Sequence, residues 1–356
     1  MDVKKLLLAL LMAVSLTTYS YQWENFPGFF KPLNSLAMGG TYVTTTEGVE
    51  ALLLNPALFE AGGLVGFDLS LSSNVVTIGP RLFELLRNPD RITELATDSQ
   101  FLSAVQGVHS YGVNFYGGYG VKTFWMNFGG LGAFQSEIFW NLSLTNIGEV
   151  ELGAWAGYFG LFGGSLNLTG NLKIGISVGG GMAGIFIPAT GTEYPATVNL
   201  TDPNSLESLL PDDPTKIFSY VNTPFFILNV GTIYRWNDLS IGAVFHYNSK
   251  NLLTGQASQI FSAGVSYDLK VLKLAFELED LLSQEKSFYR KMNFGLESSF
   301  GFLKLYAGLH AGWFTGGLKL NAPFFNIAFA AYVVEFAPRA GIMGEPKYNL
   351  NFSVKF

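Results

Sequence analysis

Most of the chain from residue 64 onward alternates apolar and polar positions with a period of two, which predicts β-strands with one greasy and one wet face. The first such stretch is about 64–78, with Val65, Phe67, Leu69 and Leu71 against Gly66, Asp68, Ser70 and Ser72. Alternation resumes at Phe124, Met126 and Phe128, then at Ile138, Trp140, Leu142 and Leu144, and continues through 149–160 and 171–187. The C-terminal half is more regular still. Leu239 to Tyr247, Phe261 to Leu269, Leu272 to Leu278, Met292 to Ser299 and Leu303 to Leu309 each alternate, and a last strand ends at Phe356.

Two segments break the period. In 81–106 apolar residues fall at helical spacing (Leu82, Leu85 and Leu86, then Ile92 and Leu95), which predicts a helical loop. Residues 188–224 carry six prolines and predict a long loop. Residues 110–120, rich in Tyr and Gly, read as either loop or strand.

An even number of strands with both ends on one side, and short turns gathered on that side, is the rule for bacterial barrels. Leaving out 109–119, taking Gly129-Gly130 as a turn and splitting 302–335 into three strands satisfies it with about fourteen strands. The short links at 236–238, 269–270, 300–301 and 322–323 then share a rim, and the long loops, about 79–119 and 188–224, share the other.

Composition narrows what kind of β protein this is. Of 356 residues, 13% are charged and 15% aromatic, and 41 are glycine. About 25% charge is usual for a soluble domain, whose outward strand faces would carry it. No run after residue 20 is long and apolar enough for a membrane helix. Together these predict an all-β fold, a transmembrane antiparallel β-barrel, because every backbone group in lipid needs an internal partner. Glycines on the polar faces predict a lumen packed closely against something.

Residues 1–20 read as a secretory signal peptide, with Lys4 and Lys5 before the apolar run Leu6 to Leu16. Cysteine is absent, so disulfides and thiolate metal sites are excluded. The net charge of −6 and the lack of a basic tract argue against nucleic acid as a partner. His109, His246 and His310 are scattered, and no nucleophile–base or paired-histidine pattern accompanies them. Neither an enzyme, a metal nor another cofactor is expected.

Ahead of the first strand lies 35–57, apolar but interrupted by Gly39, Gly40, Gly48 and Pro56. It cannot be one long helix or strand, and it reads as a small N-terminal plug (21–62) inside a barrel of residues 63–356. Within it Asn55-Pro56-Ala57 reads either as a hinge or as a local turn in which Asn bonds nearby backbone. Lys273, Glu277, Glu279, Lys291, Glu297 and Lys304 fall on the polar faces of successive strands. They read as a charged lumen network, either attracting ions or anchoring the plug. Leu82, Phe83, Leu85 and Leu86 in the helical loop are candidates for ligand entry, or for packing the loop over the mouth.

The stretch Ala37-Met38-Gly39-Gly40-Thr41-Tyr42-Val43, a spacer, and Asn55-Pro56-Ala57-Leu58 resembles the plug motif of the FadL-like outer-membrane proteins. Leu58 stands where that family usually has Gly, and Thr44 to Thr46 replace its small and acidic spacer residues. The alternating terminus Tyr348, Leu350, Phe352 and Phe356 resembles the signal read by the barrel-assembly machinery. The resemblance implies fourteen strands, a location in the outer membrane among its lipid, and passive uptake of hydrophobic small molecules that leave sideways through the wall. For PorV-type members it implies instead a sealed barrel that partners a surface or secretion protein.

Overall fold

The structure, a computed structural model, describes residues 31–76, 78, 80, 107–142, 149–188, 196–199, 218–250, 257–283, 286–335, 339–341 and 344–356. The strands in chain order are β1 (Gly62–Ser72), β2 (Gly107–Lys122), β3 (Met126–Leu142), β4 (Glu149–Asn167), β5 (Leu172–Pro188), β6 (Ala196–Asn199), β7 (Phe218–Trp236) and β8 (Leu239–Asn248). They continue with β9 (Ser258–Asp268), β10 (Leu272–Leu278), β11 (Met292–Phe300), β12 (Leu303–His310), β13 (Trp313–Asn321), β14 (Phe325–Glu335) and β15 (Gly344–Lys355).

All but β6 form a closed antiparallel ring of fourteen, and β6 pairs outside it with the end of β4. The ring closes where β1 meets β15, from Leu64↔Lys355 to Ser72↔Lys347. Closure removes the exposed strand edges that an open sheet would leave.

The fourteen strands are not all those the periodicity suggests. Residues 107–122 are a full ring strand, paired with β1 and β3. Gly129-Gly130 is no turn but lies within β3, which runs unbroken from Met126 to Leu142. One strand was missed and one was divided, so the count survived two compensating errors. Both arise from glycine. Gly112, Gly117, Gly118 and Gly120 blank the alternation of β2, and a Gly-Gly pair imitates turn punctuation.

One rim is made of tight links, at 123–125, 168–171, 237–238, 269–271, 301–302 and 322–324. Asn237, Lys270 and Gly301 take positive φ there, as short turns require. The other rim carries the long connections, except that β12 turns directly into β13 through Ala311 and Gly312, both at positive φ. The helical loop and its candidates Leu82, Phe83, Leu85 and Leu86 lie outside the described residues, as do residues 1–20.

Side chains sort as the pleat dictates. Ile138, Phe162, Ile176, Ile241, Phe352 and their neighbours face outward and are exposed, whereas Ser177, Asn229, Ser262, Glu277 and Asn293 are buried inside. An apolar exterior around a polar-lined interior is the inverse of a soluble protein and suits a wall standing in lipid. The assembly-signal candidates Tyr348, Leu350, Phe352 and Phe356 lie on that outward side of the last strand and its end.

The wall is uneven in height. β3, β4, β5 and β7 have 17 to 19 residues, but β10 to β13 have 7 to 9. Its inner face is uneven in chemistry too. β3, β4, β5, β7 and β8 contribute Leu131, Phe159, Leu161, Ala183, Ile227, Ile233 and Val244 to a buried apolar cluster. The charged inner residues Asp68, Glu277, Glu297, Glu345 and Lys347 come from β1, β10, β11 and β15, and β3 adds Glu137, paired with Lys347.

Candidate functional site

The site is the lumen, and residues 31–61 fill it. The segment contains a short helix, α1 (Leu33–Ala37), and two single-turn 3-10 helices at Gly48–Leu52 and Pro56–Leu58. It hydrogen-bonds to β3, β4, β5, β7, β9, β10 and β13. These strands lie all around the ring, so the contacts can be made only from within.

Each tether uses a polar side chain on the inner face of a strand to satisfy a group that a non-helical, non-strand backbone leaves over. The Phe59 carbonyl accepts from Asn127 Nδ2 at 3.2 Å and Ser165 Oγ at 3.0 Å. The Leu52 carbonyl accepts from Ser177 Oγ at 2.5 Å and Asn229 Nδ2 at 3.0 Å. Thr315 Oγ1 accepts from Gly39 N and donates to the Ala37 carbonyl, both at 2.9 Å. Glu277 Oε2 accepts from the N–H groups of Tyr42 and Val43, each at 2.8 Å. Glu277 is buried, and its Oε1 has no hydrogen-bond partner among the described residues.

Apolar packing supplies the rest. Met38, Val43, Leu52, Leu53 and Phe59 are fully buried, each worth about 1.5–3 kcal/mol relative to exposure. Close approach to the wall depends on its glycines. A Cβ on Gly175, Gly231, Gly295, Gly308 or Gly317 would run into Pro56 and Ala57, Asn55, Met38 and Thr41, Met38 and Gly39, or Ala37, respectively. Gly39 fits for the reciprocal reason. It takes φ +67° with the backbone of Leu309 2.7 Å from where its Cβ would stand.

Asn55, Pro56 and Ala57 form a cap. Asn55 precedes the 3-10 turn, its side-chain oxygen accepts from Ala57 N at 3.1 Å, and Pro56 occupies the first helical position. Asn55 Nδ2 also donates to the Val43 carbonyl at 2.6 Å. One side chain thus joins the two ends of the segment that the motif residues Ala37, Met38, Gly39 and Gly40 begin.

The six charged candidates do not form a single network. Glu277 and Glu279 hold the lumenal segment. Glu297 pairs with Lys304 at 2.8 Å nearer the short-turn rim. Lys273 lies 3.9 Å from Asp268, and Lys291 donates to the carbonyls of Leu281 and Ser283 beyond the end of β10.

The partner that sequence reasoning missed is Lys31. It meets both oxygens of Glu279, at 2.7 and 2.8 Å, and lies 5.1 Å from the centre of the Tyr42 ring. Burial alone would raise the Glu279 carboxyl, but Lys31 and His310 pull it down to about 2. Burial pushes the Tyr42 phenol up, with Glu279 and Glu277 adding to the effect. It raises Glu50 as well, against the pull of Lys319.

His246 and His310 sit in matching settings. Each Nδ1 bonds an asparagine on the paired strand, Asn229 at 2.9 Å and Asn293 at 2.7 Å. Asn229 passes this on to Leu52 and Asn293 to Glu279. His109 bonds Ser72 at 2.8 Å. A second charged group, also missed, lies toward the long-loop rim. Lys347 meets Glu137 at 2.8 Å and Glu345 at 4.0 Å, Ser110 N donates to Glu345, and Trp155 Nε1 donates to Glu137.

No protein-family model matches the sequence, and no curated protein does. Solved structures do resemble the fold. The Pseudomonas putida toluene transporter TodX superposes with a TM-score of 0.53 at 12% identity, covering 91% of this chain and 98% of its own. The CymD monoaromatic hydrocarbon channel gives 0.50 at 9% identity, covering 91% and 96%. At these identities the likeness is one of fold, and the chain shares the barrel fold of these two aromatic-hydrocarbon transport proteins.

Proposed function

We propose that the protein is an outer-membrane barrel for passive uptake of hydrophobic small molecules, with residues 31–61 as its plug. The observation that carries this reading is the division of the inner wall. From β3 to β8 it carries the large apolar residues Leu131, Phe139, Phe159, Leu161, Ile227 and Ile233, interspersed with polar ones such as Asn127, Ser177 and Asn229, and β3, β4, β5 and β7 are also the longest strands of the ring. An apolar solute entering from the long-loop rim would meet Phe139, Trp155 and Ile185, all buried on that side, before reaching the plug. The named activities of TodX and CymD agree with this reading. In it, residues 1–20 are the export signal, the end of β15 is the assembly signal, and Leu82, Phe83, Leu85 and Leu86 help capture the solute.

Substrate class separates into neutral aromatics and fatty-acid-like anions. At the long-loop end of the lumen the Lys347 ammonium is already engaged by Glu137 and Glu345, so a carboxylate arriving there would have to compete for it. We therefore favour neutral solutes. The test is uptake of labelled toluene and labelled oleate by cells whose outer membrane carries the full-length protein as its one route. Toluene uptake above protein-free cells supports the reading, and its absence sinks it.

One observation favours a second reading, a sealed barrel that scaffolds a surface or secretion protein. The segment is bonded to seven strands, which suits a permanent stopper. Stoichiometric co-purification of a protein partner, with no hydrocarbon uptake, is the outcome that reading expects.

A further inference from the structure

The inner wall at the short-turn rim is basic, although the chain as a whole carries a net charge of −6. Residues opposite one another in a ladder share a face, as do residues two apart along a strand. Lys122 stands opposite Asn127, which bonds the lumenal Phe59 carbonyl, and Lys173 stands opposite the buried Ile233. Both therefore point inward, and so does Arg235, two positions beyond Ile233. The same pleat turns Lys273, Lys304, Lys319 and Lys355 inward, in step with the buried Glu277, Tyr306, Thr315 and Asn351. All of them lie beside a short link or at the end of β15.

The two sides of this ring differ in balance. Toward β12 to β15, carboxylates match the cations. Glu297 bonds Lys304 at 2.8 Å, and Glu47 and Glu50 of the lumenal segment lie within electrostatic range of Lys355. Lys273 has Asp268. Toward β2, β5 and β7, by contrast, Lys122, Lys173 and Arg235 have inside the ring one carboxylate near them, that of the exposed Glu60. None of the three makes an ion pair or a side-chain hydrogen bond among the described residues. Like charges on neighbouring strands repel. Cations that anchored the lumenal segment would bond it, as Thr315 and Glu277 do. This group thus costs the fold something and returns no contact, which points to a ligand from elsewhere.

Spacing selects the class of that ligand. Lys173 and Arg235 are on adjacent strands, but Lys122 is three strands further round the ring, roughly 15 Å away at about 4.8 Å per strand. A small anion reaches one end of the group only. An extended polypeptide covers the span in about five residues at about 3.3 Å each, and an acidic one presents carboxylates to both ends. The three side chains point into the mouth rather than toward lipid, so bilayer headgroups meet the opposite face of their strands. The lumenal segment stands between this mouth and the long-loop rim, so the ligand arrives from the short-turn side.

We propose that Lys122, Lys173 and Arg235 form a docking site for an acidic segment of a periplasmic protein. The side of approach rests on the outer-membrane reading, in which short turns face the periplasm. The site does not depend on hydrocarbon uptake.

The probe is fluorescein-labelled decaglutamate, and the readout is its anisotropy with full-length protein in nanodiscs of neutral phosphatidylcholine. Decaglutamate binds, decalysine does not, and raising salt from about 50 to about 300 mM weakens the complex. Lys122→Gln/Lys173→Gln/Arg235→Gln raises the dissociation constant about tenfold. Lys122→Arg/Lys173→Arg keeps the wild-type value, as does Lys250→Gln at the opposite rim. The heat-dependent gel shift checks that each variant is folded, and Lys173→Gln/Arg235→Gln replaces the triple variant if that one is not.

Equal affinity of wild type and the folded glutamine variant overturns the site, as does equal binding of decalysine. Displacement of the peptide by equimolar citrate or glycerol phosphate gives the group to small anions or lipid headgroups and overturns the polypeptide assignment. No outcome here involves toluene, so failure of the docking site and failure of the uptake reading are separate results.

Discussion

The side-chain oxygen of Asn55 occupies the space that a Cβ on Gly231 would need. The motif residue and the wall glycine are therefore one fitted pair, 176 positions apart in sequence. A Gly231→Ala substitution must displace either the Asn55 amide or β7, at a cost of about 1–3 kcal/mol typical of overpacking. The expected outcome is a lower temperature for the heat-induced gel-mobility shift, together with faster proteolysis of residues 31–61. Wild-type behaviour in both assays would show that the segment is not held where β7 requires it.

Asn55 itself makes two buried bonds of opposite sense, donating to Val43 and accepting from Ala57. Asn55→Ala leaves both partners unsatisfied, and each unpaired buried group costs about 1–3 kcal/mol. Asn55→Asp keeps the acceptor but sets a carboxylate against the Val43 carbonyl. It should be no more stable than the alanine variant in the same melting assay. If Asp matches wild type, the bond to Val43 carries no weight.

How far the sequence was readable differs by element. β8 to β15 were legible because their outward positions are large and apolar while their inward ones are polar, as in Leu350 and Phe352 against Asn349 and Asn351. β2 was not, because its glycines serve close packing and erase the alternation. The lumenal segment was legible as an interruption, since Gly39 and Pro56 forbid long regular elements. Its tethers were not, because they join Ser177, Asn229 and Thr315 to carbonyls more than a hundred residues away. Lys31 fell within an aromatic, turn-rich stretch with no periodicity to orient it.

Glu277 distinguishes a hydrogen-bond clamp from a charge. Glutamine keeps an acceptor for the Tyr42 and Val43 N–H groups in a neutral side chain of the same shape, so Glu277→Gln should lie within about 1 kcal/mol of wild type. Glu277→Ala strands two backbone donors and should cost roughly 2–4 kcal/mol. Chemical unfolding in detergent, followed by tryptophan fluorescence, compares the two. Equal stability of the glutamine and alanine variants would mean that the clamp is idle.

The Lys31–Glu279 pair makes the seating of the segment depend on pH. Glu279, just beyond the end of β10, is held at about 2, below the ~4.3 of a free glutamate. The fold thus prefers its ionised form. The contribution is complete above about pH 4.3 and is lost as pH falls toward 2. Lys31→Met removes the strongest pull on the carboxylate, so burial raises it and the acid loss begins at a higher pH. Because both side chains are about a fifth exposed, 23% and 22%, salt should narrow the difference between variant and wild type. Trypsin cleavage of the N-terminal segment across a series from pH 6 to pH 3 followed by neutralisation cannot report this, since reseating would hide it. An acid-active protease such as pepsin, applied at each pH from about 5 down to 2, can. Identical pH profiles for Lys31→Met and wild type at low salt would remove the ion pair as the anchor of this end of the segment.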